Sequence, residues 1–216
     1  MQIFPSLTSQ DPLVLEQQIK QLHPYCTGFH IDIMDGIFVA NTMGSAALTN
    51  KIANMTQKQL WVHIMAQNPL HIIKHLQIHA GDIVTFHVTA EYDYQEIIQE
   101  LEKRNLRPSL ALNPAIPLPT IVHKLYAIDH ITVMSVQPGA SGRTFIEDTY
   151  TKLELIHAFK AAHEKKLTIA VDGGVNKYII PKLAEYGVNQ VAVCSAIFDT
   201  TDLVNALQEL TTLTTG

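Results

Sequence analysis

Apolar residues follow two spacings that alternate from one end of the chain to the other. Short, near-continuously apolar runs occupy Gln2 to Pro5, Gly28 to Ile33, Leu60 to Met65, Ile83 to His87, Pro108 to Leu112, His130 to Ser135, Leu167 to Val171 and Gln190 to Val193. Strands that are apolar on both sides belong in a parallel sheet covered on both faces. Longer segments between them repeat at helical spacing. Leu13 to Leu22 carries Leu13, Leu15, Ile19 and Leu22; Glu91 to Arg104 carries Tyr94, Ile97, Ile98 and Leu101; Phe145 to Lys165 carries Leu153, Leu155, Ile156 and Phe159; a last helix falls near Asp202 to Leu213. Gly81 and Gly187 stand where such helices need a stop. Eight strands each followed by a helix predict an α/β fold, a (β/α)8 TIM barrel, with a doubly wound open sheet as its structural rival. No Pro/Gly/Ser-rich linker interrupts the pattern, so residues 1–216 read as a single domain.

Composition narrows the class. With 47% hydrophobic and 16% charged residues the chain reads as an ordinary globular domain. No apolar run approaches the roughly 20 residues of a membrane span, and the N-terminus has no signal-peptide pattern. A net charge of -5 without a basic block argues against a nucleic-acid partner. Two cysteines, Cys26 and Cys194, make no disulfide framework and suggest a cytoplasmic protein. Eleven histidines prompt a search for metal ligands.

In this fold the chemistry sits at the C-terminal ends of the strands. Period-2 alternation puts His30, Asp32 and Met34 on one face of the second strand, and His63 and Met65 on one face of the third. Met134 ends the sixth strand and Asp172 the seventh. Taken singly, each is a polar or apolar residue at a strand end. Together His30, Asp32, His63 and Asp172 suit one divalent metal ion such as Zn, Fe, Mn or Co. Glycines give a second signal. Pro138-Gly139-Ala140-Ser141-Gly142, Gly173-Gly174 and Cys194-Ser195 follow the last three strands, where barrels bind phosphate through backbone N–H groups. Their plainer use is in tight turns. His87, ending the fourth strand, either touches substrate or supports the site from behind. Asp35 is expected to cap the following turn. His71, His75 and His79 fall at i, i+4 and i+8, most simply on a solvated helix face. Trp61 is expected in the core.

At these residues the chain resembles the ribulose-phosphate 3-epimerase family of ribulose-phosphate-binding barrels. The matching stretches are Pro5-Ser6, His30-Ile31-Asp32-Ile33-Met34-Asp35-Gly36, Val62-His63-Ile64-Met65, Thr85-Phe86-His87-Val88, Leu112-Asn113-Pro114, Met134-Ser135-Val136-Gln137-Pro138-Gly139, Val171-Asp172-Gly173-Gly174-Val175 and Ser195-Ala196-Ile197-Phe198, in family order. The resemblance implies that His30, Asp32, His63 and Asp172 hold the metal. It implies that Asp32 and Asp172 are the catalytic acid/base pair. Substrate would be met by Ser6, His63, Met34, Met65 and Met134, and its phosphate by Gly139, Ala140, Ser141, Gly142, Gly173, Gly174, Cys194 and Ser195. Departures occur at Ala40, at Gln137, Ala140 and Ser141 of the phosphate loop, and at Cys194, where the family usually has Gly.

The resemblance further implies an isomerase of carbohydrate metabolism, a metal-dependent epimerase inverting C3 of a small-molecule ketose phosphate. Its reaction would interconvert D-ribulose 5-phosphate and D-xylulose 5-phosphate by two-base proton transfer through an enediolate, in the pentose phosphate pathway. The family's habit implies a homo-oligomer. The alternatives are an allulose-6-phosphate 3-epimerase, or a non-catalytic sugar-phosphate-binding barrel suggested by the altered loop. Decarboxylases and aldolases of related barrels are disfavoured, because Asp32 to Asp35 includes no Lys.

Overall fold

A computed structural model describes residues 1–8, 11–88, 93–140 and 142–214. Eight parallel strands close into a barrel: β1 (Gln2–Leu7), β2 (Gly28–Asp35), β4 (Gln59–Met65), β5 (Ile83–His87), β6 (Arg107–Leu112), β7 (His130–Met134), β8 (Thr168–Asp172) and β9 (Gln190–Val193). Pairing of β1 with both β2 and β9 makes the ring continuous. A two-residue strand, β3 (Thr42–Met43), folds back antiparallel on the end of β2 and is not a stave. Helices α1 (Pro12–Leu22), α2 (Ala46–Met55), α3 (Pro69–His75), α4 (Tyr94–Lys103), α5 (Thr149–Ala162), α6 (Ile180–Glu185), α7 (Ser195–Phe198) and α8 (Leu203–Thr212) complete the chain. Local chemistry starts them. Asp11, Ser45, Asn68, Asp93 and Asp202 each accept a backbone N–H at a helix N-terminus, and Pro12 and Pro69 take a first-turn position where no N–H is needed.

Two expectations are corrected. The stretch after β6 forms only 3-10 turns, Leu118–Thr120 and Val122–Ala127, so not every strand is followed by an α-helix. Pro114, Pro117 and Pro119 remove the donors an α-helix needs and restrict the residues before them. His79 does not share a helix with His71 and His75, because α3 ends at His75. The guanidinium of Arg104 takes the carbonyls of Ile73 and Leu76 and closes that end. The helix expected from Glu91 is seen from Tyr94; Glu91 itself lies outside the described residues.

The main core lies between barrel and helices, where Leu15, Ile19, Leu101, Leu153 and Ile156 pack against outward-facing strand residues such as Ile31, Val62 and Val133. Inside the ring Phe4, Trp61, Ile83, Ala170 and Ala192 pack together. Trp61 is fully buried, edge-on to Phe4, and its indole N–H donates to Thr85 Oγ1 at 2.8 Å. From there a polar chain crosses the interior: Thr85 to Thr132 (3.1 Å), Thr132 to Ser109 (3.0 Å), Ser109 to His130 (2.8 Å), and His130 to Gln190 (2.8 Å). These side chains plug the lower barrel and leave the upper end for chemistry.

Candidate active site

The register of neighbouring strands gathers the four ligand candidates. Asp32 on β2 lies directly beside His63 on β4, and Ser6 on β1 beside His30. Asp172 arrives from β8, three staves from β2 around the ring. His63 Nδ1 stands 2.9 Å from Asp172 Oδ2 and 3.2 Å from Asp32 Oδ1. His30 Nε2 is 3.6 Å from Asp172 Oδ2 and 3.8 Å from Asp32 Oδ1. One donor atom from each of the four residues lies within 4.8 Å of all the others. Both imidazoles are fully buried, while the two carboxylates reach the cavity above.

Electrostatics favour positive charge at this point. Burial pulls the His63 imidazole down, but contact with Asp172 and Asp32 outweighs it and raises the group to about 9. Burial opposes ionisation of Asp172, yet His30 and His63 hold its carboxyl below the usual range. His30 Nε2 and Asp32 Oδ1 are buried and have no hydrogen-bond partner among the described residues. Buried polar atoms without partners are costly, and an ion at their meeting point would satisfy both. Two imidazole nitrogens and two carboxylates are also a donor set suited to a divalent cation, which would take the place of the proton on His63 Nδ1.

The ring nitrogens facing away are held from behind. His30 Nδ1 is 2.9 Å from Ser6 Oγ, and His63 Nε2 is 2.8 Å from His87 Nε2. Burial, with the neighbouring His63 charge, pushes His87 well below the ordinary imidazole range, so its ring is neutral.

A cavity of about 580 Å³ opens above the carboxylates. Ser6, Met34, Met65, Met134, Gly139, Ala140, Gly142, Gly173, Gly174, Cys194 and Ser195 all line it. Ser141 lies outside the described residues. His63 sits below the floor, behind Asp32 and Asp172, and is not part of the lining. Burial pushes the Cys194 thiol up to about 11, aided by Asp32 and Asp172 and opposed by a bond to Thr8, so it stays protonated.

One wall has no counterpart among the sequence expectations. Asn41, Thr42 and Met43 line the cavity, and Asn41 Nδ2 donates to Gly139 O at 2.6 Å. The loop after β2 thus touches the loop after β7 across the mouth. Its base is set by Asp35, whose Oδ1 accepts from Ile37 and Phe38 N–H and whose Oδ2 accepts from Gln67 N–H. The only sequence signal for this wall is its position after the Asp35-Gly36 turn.

A closed parallel barrel with a His/His/Asp/Asp cluster beneath a glycine-rimmed cavity defines a barrel enzyme working at its strand C-termini. Residues 2–198 match the profile of the Ribulose-phosphate 3 epimerase family. Ribulose-phosphate 3-epimerase of Bacillus subtilis is 30% identical over 212 residues, 97% of this chain and 98% of that protein. Its counterpart from Methanocaldococcus jannaschii is 30% identical over 97% of this chain and 89% of its own. The chain belongs to the ribulose-phosphate 3-epimerase family. Among solved structures, 3-hexulose-6-phosphate synthase from Salmonella typhimurium superposes with a TM-score of 0.72 at 19% identity, covering 99% of this chain and 98% of that one, which shows the shared fold.

Proposed function

We propose that the protein inverts C3 of a ketose phosphate, interconverting D-ribulose 5-phosphate and D-xylulose 5-phosphate, with Asp32 and Asp172 as the two proton-transfer groups. One observation carries this. Two carboxylates from staves three apart converge on the same buried point, one oxygen of each beside His63 Nδ1, and both residues line the cavity. Inversion beside a carbonyl needs a base on one side of a planar enediolate and an acid on the other. One Asp takes the C3 proton onto a carboxylate oxygen while its partner delivers a proton to the opposite face. The states of the pair are then exchanged and reset with solvent.

His30, Asp32, His63 and Asp172 would hold one divalent cation, Zn, Fe, Mn or Co. When bound, such a cation supplies Lewis acidity toward a ketone oxygen, worth several kcal/mol at the transition state. The chain's own groups do the rest. Met34, Met65 and Met134 give the cavity a polarizable wall without exchangeable protons, which limits quenching by water. If His30 Nδ1 donates to Ser6 Oγ, the Ser6 hydroxyl proton is free for substrate. Gly139, Ala140, Ser141, Gly142, Gly173, Gly174, Cys194 and Ser195 would take the phosphate. Gly142 and Gly174 sit at φ +71° and +63°, turning backbone rather than side chain toward the cavity.

The test is a solvent-deuterium assay on ribulose 5-phosphate and allulose 6-phosphate side by side. The pentulose should gain deuterium at C3 and convert faster. Asp172→Asn should lose at least about a hundredfold in turnover while still binding sugar phosphate. Epimerisation by this variant at the wild-type rate would remove the two-base scheme.

A further inference from the structure

His87 is absent from the cavity lining, yet it is 3% exposed and touches the deepest part of the site. Its Nε2 lies 2.8 Å from His63 Nε2, with ring centroids 4.9 Å apart and planes at 26°. That combination describes two imidazoles meeting edge to edge rather than face to face. Two ring nitrogens at this distance share one proton, so one must donate and the other accept. On its far side His87 Nδ1 is buried beside the Asn113 carboxamide, and neither His87 Nδ1 nor Asn113 Oδ1 has another hydrogen-bond partner among the described residues. Phe38 covers the His87 ring at 4.7 Å. Asn113 is itself fixed from outside, because Lys152 Nζ donates to the carbonyls of Asn113, Pro114 and Ile116.

We infer that His87 is a positioning residue that sets the tautomer and ring angle of His63, so that the His63 Nδ1 lone pair points at the meeting place of Asp32 and Asp172. This rests on the quartet holding a divalent cation. Ligation through Nδ1 leaves the His63 proton on Nε2, where it donates to His87 Nε2. His87 must then carry its own proton on Nδ1, the side on which the Asn113 carboxamide is its polar neighbour. A ligating histidine whose second nitrogen is anchored in this way binds metal more tightly than a free ring, since neither orientation nor tautomer has to be selected on binding. His30 is supported more simply, by the hydroxyl of Ser6. The His63 branch is longer and crosses from β4 through β5 to the loop after β6.

The decisive measurement is Co2+ uptake by chelator-stripped protein, followed by visible absorption and by competition with a chelator. Wild type should take one ion per chain. His87→Ala should bind about 10- to 100-fold more weakly, with a changed absorption envelope. His87→Gln can still accept from His63 Nε2 through its amide oxygen, and should restore most of the loss. Asn113→Ala leaves both imidazoles in place and should weaken binding by a smaller factor; it keeps the test open if His87→Ala fails to fold. A folded His87→Ala with wild-type affinity and spectrum would overturn the proposal. So would a His87→Gln or Asn113→Ala result showing no dependence on the hydrogen-bond partner. Failure of the wild type to take up Co2+ would sink the cation reading itself, and the role of His87 with it.

Discussion

Gly173 shows how tightly single positions are specified around the carboxylates. Its φ is +112°, and a Cβ placed there would stand 2.3 Å from Val136 Cγ2. Gly173→Ala therefore incurs both backbone strain and a clash with a buried side chain, together about 3 kcal/mol. Adding Val136→Ala removes the clash and leaves the strain. In urea titrations the double variant should recover part of the loss beyond additivity. A strictly additive pair would show that Val136 is not what the glycine avoids. At this scale the sequence is informative where periodicity applies. His30, Asp32, His63 and Asp172 stand out because alternation and strand-end position both select them. The bonds from Ser6 to His30 and from His87 to His63 do not. They depend on how β1 closes against β2 and how β5 lies beside β4, and side-chain spacing within one strand carries no information about either.

The alternation of elements is legible for the same reason that it folds: strands buried on both sides and helices buried on one leave different periods in the sequence. Boundaries at Ile83–His87 and Gln190–Val193 agree with the expectation, and the others differ by a residue or two at the strand ends. Proline outweighs the pattern between Asn113 and Ala127, where apolar residues continue but an α-helix cannot form. Lys152 on α5 ties down the start of this segment, adding to the few backbone bonds of its 3-10 turns. It is 6% exposed and donates at 2.9, 2.5 and 3.1 Å to three loop carbonyls. Lys152→Met keeps the length of the side chain and leaves the carbonyls without their donor. The expected cost is about 3 kcal/mol, as for loss of charge-assisted bonds. Hydrogen exchange should accelerate first in the loop after β6, ahead of β6 itself. Unchanged protection there would mean that packing of Leu118, Ile121 and Leu125 suffices to hold it.

The whole barrel is divided along its axis. Its upper end gathers charge around a point suited to a cation, whereas its lower end buries a neutral polar chain running from Trp61 to Gln190. His130 is the titratable member of that chain, fully buried between Ser109 and Gln190. Burial lowers it to about 4, assisted by the charge on Arg107 and opposed by the bond to Gln190. The folded value is below the unfolded value of about 6.5. Between these limits the unfolded chain binds a proton that the folded barrel refuses. The contribution of neutral His130 is therefore complete above pH 6.5 and lost as the pH falls toward 4. It amounts to roughly 2–3 kcal/mol by pH 4.5. His63 shifts the opposite way, to about 9, so its contribution is complete below 6.5 and fades only at alkaline pH. Comparing wild type with His130→Gln in urea at pH 7.5 and pH 4.5 cancels His63 and the remaining histidines. The stability difference between the two proteins should move toward the variant by about 2–3 kcal/mol on acidification. A difference independent of pH would mean that the lower barrel admits the proton, and that its polar chain tolerates charge as readily as the upper site does.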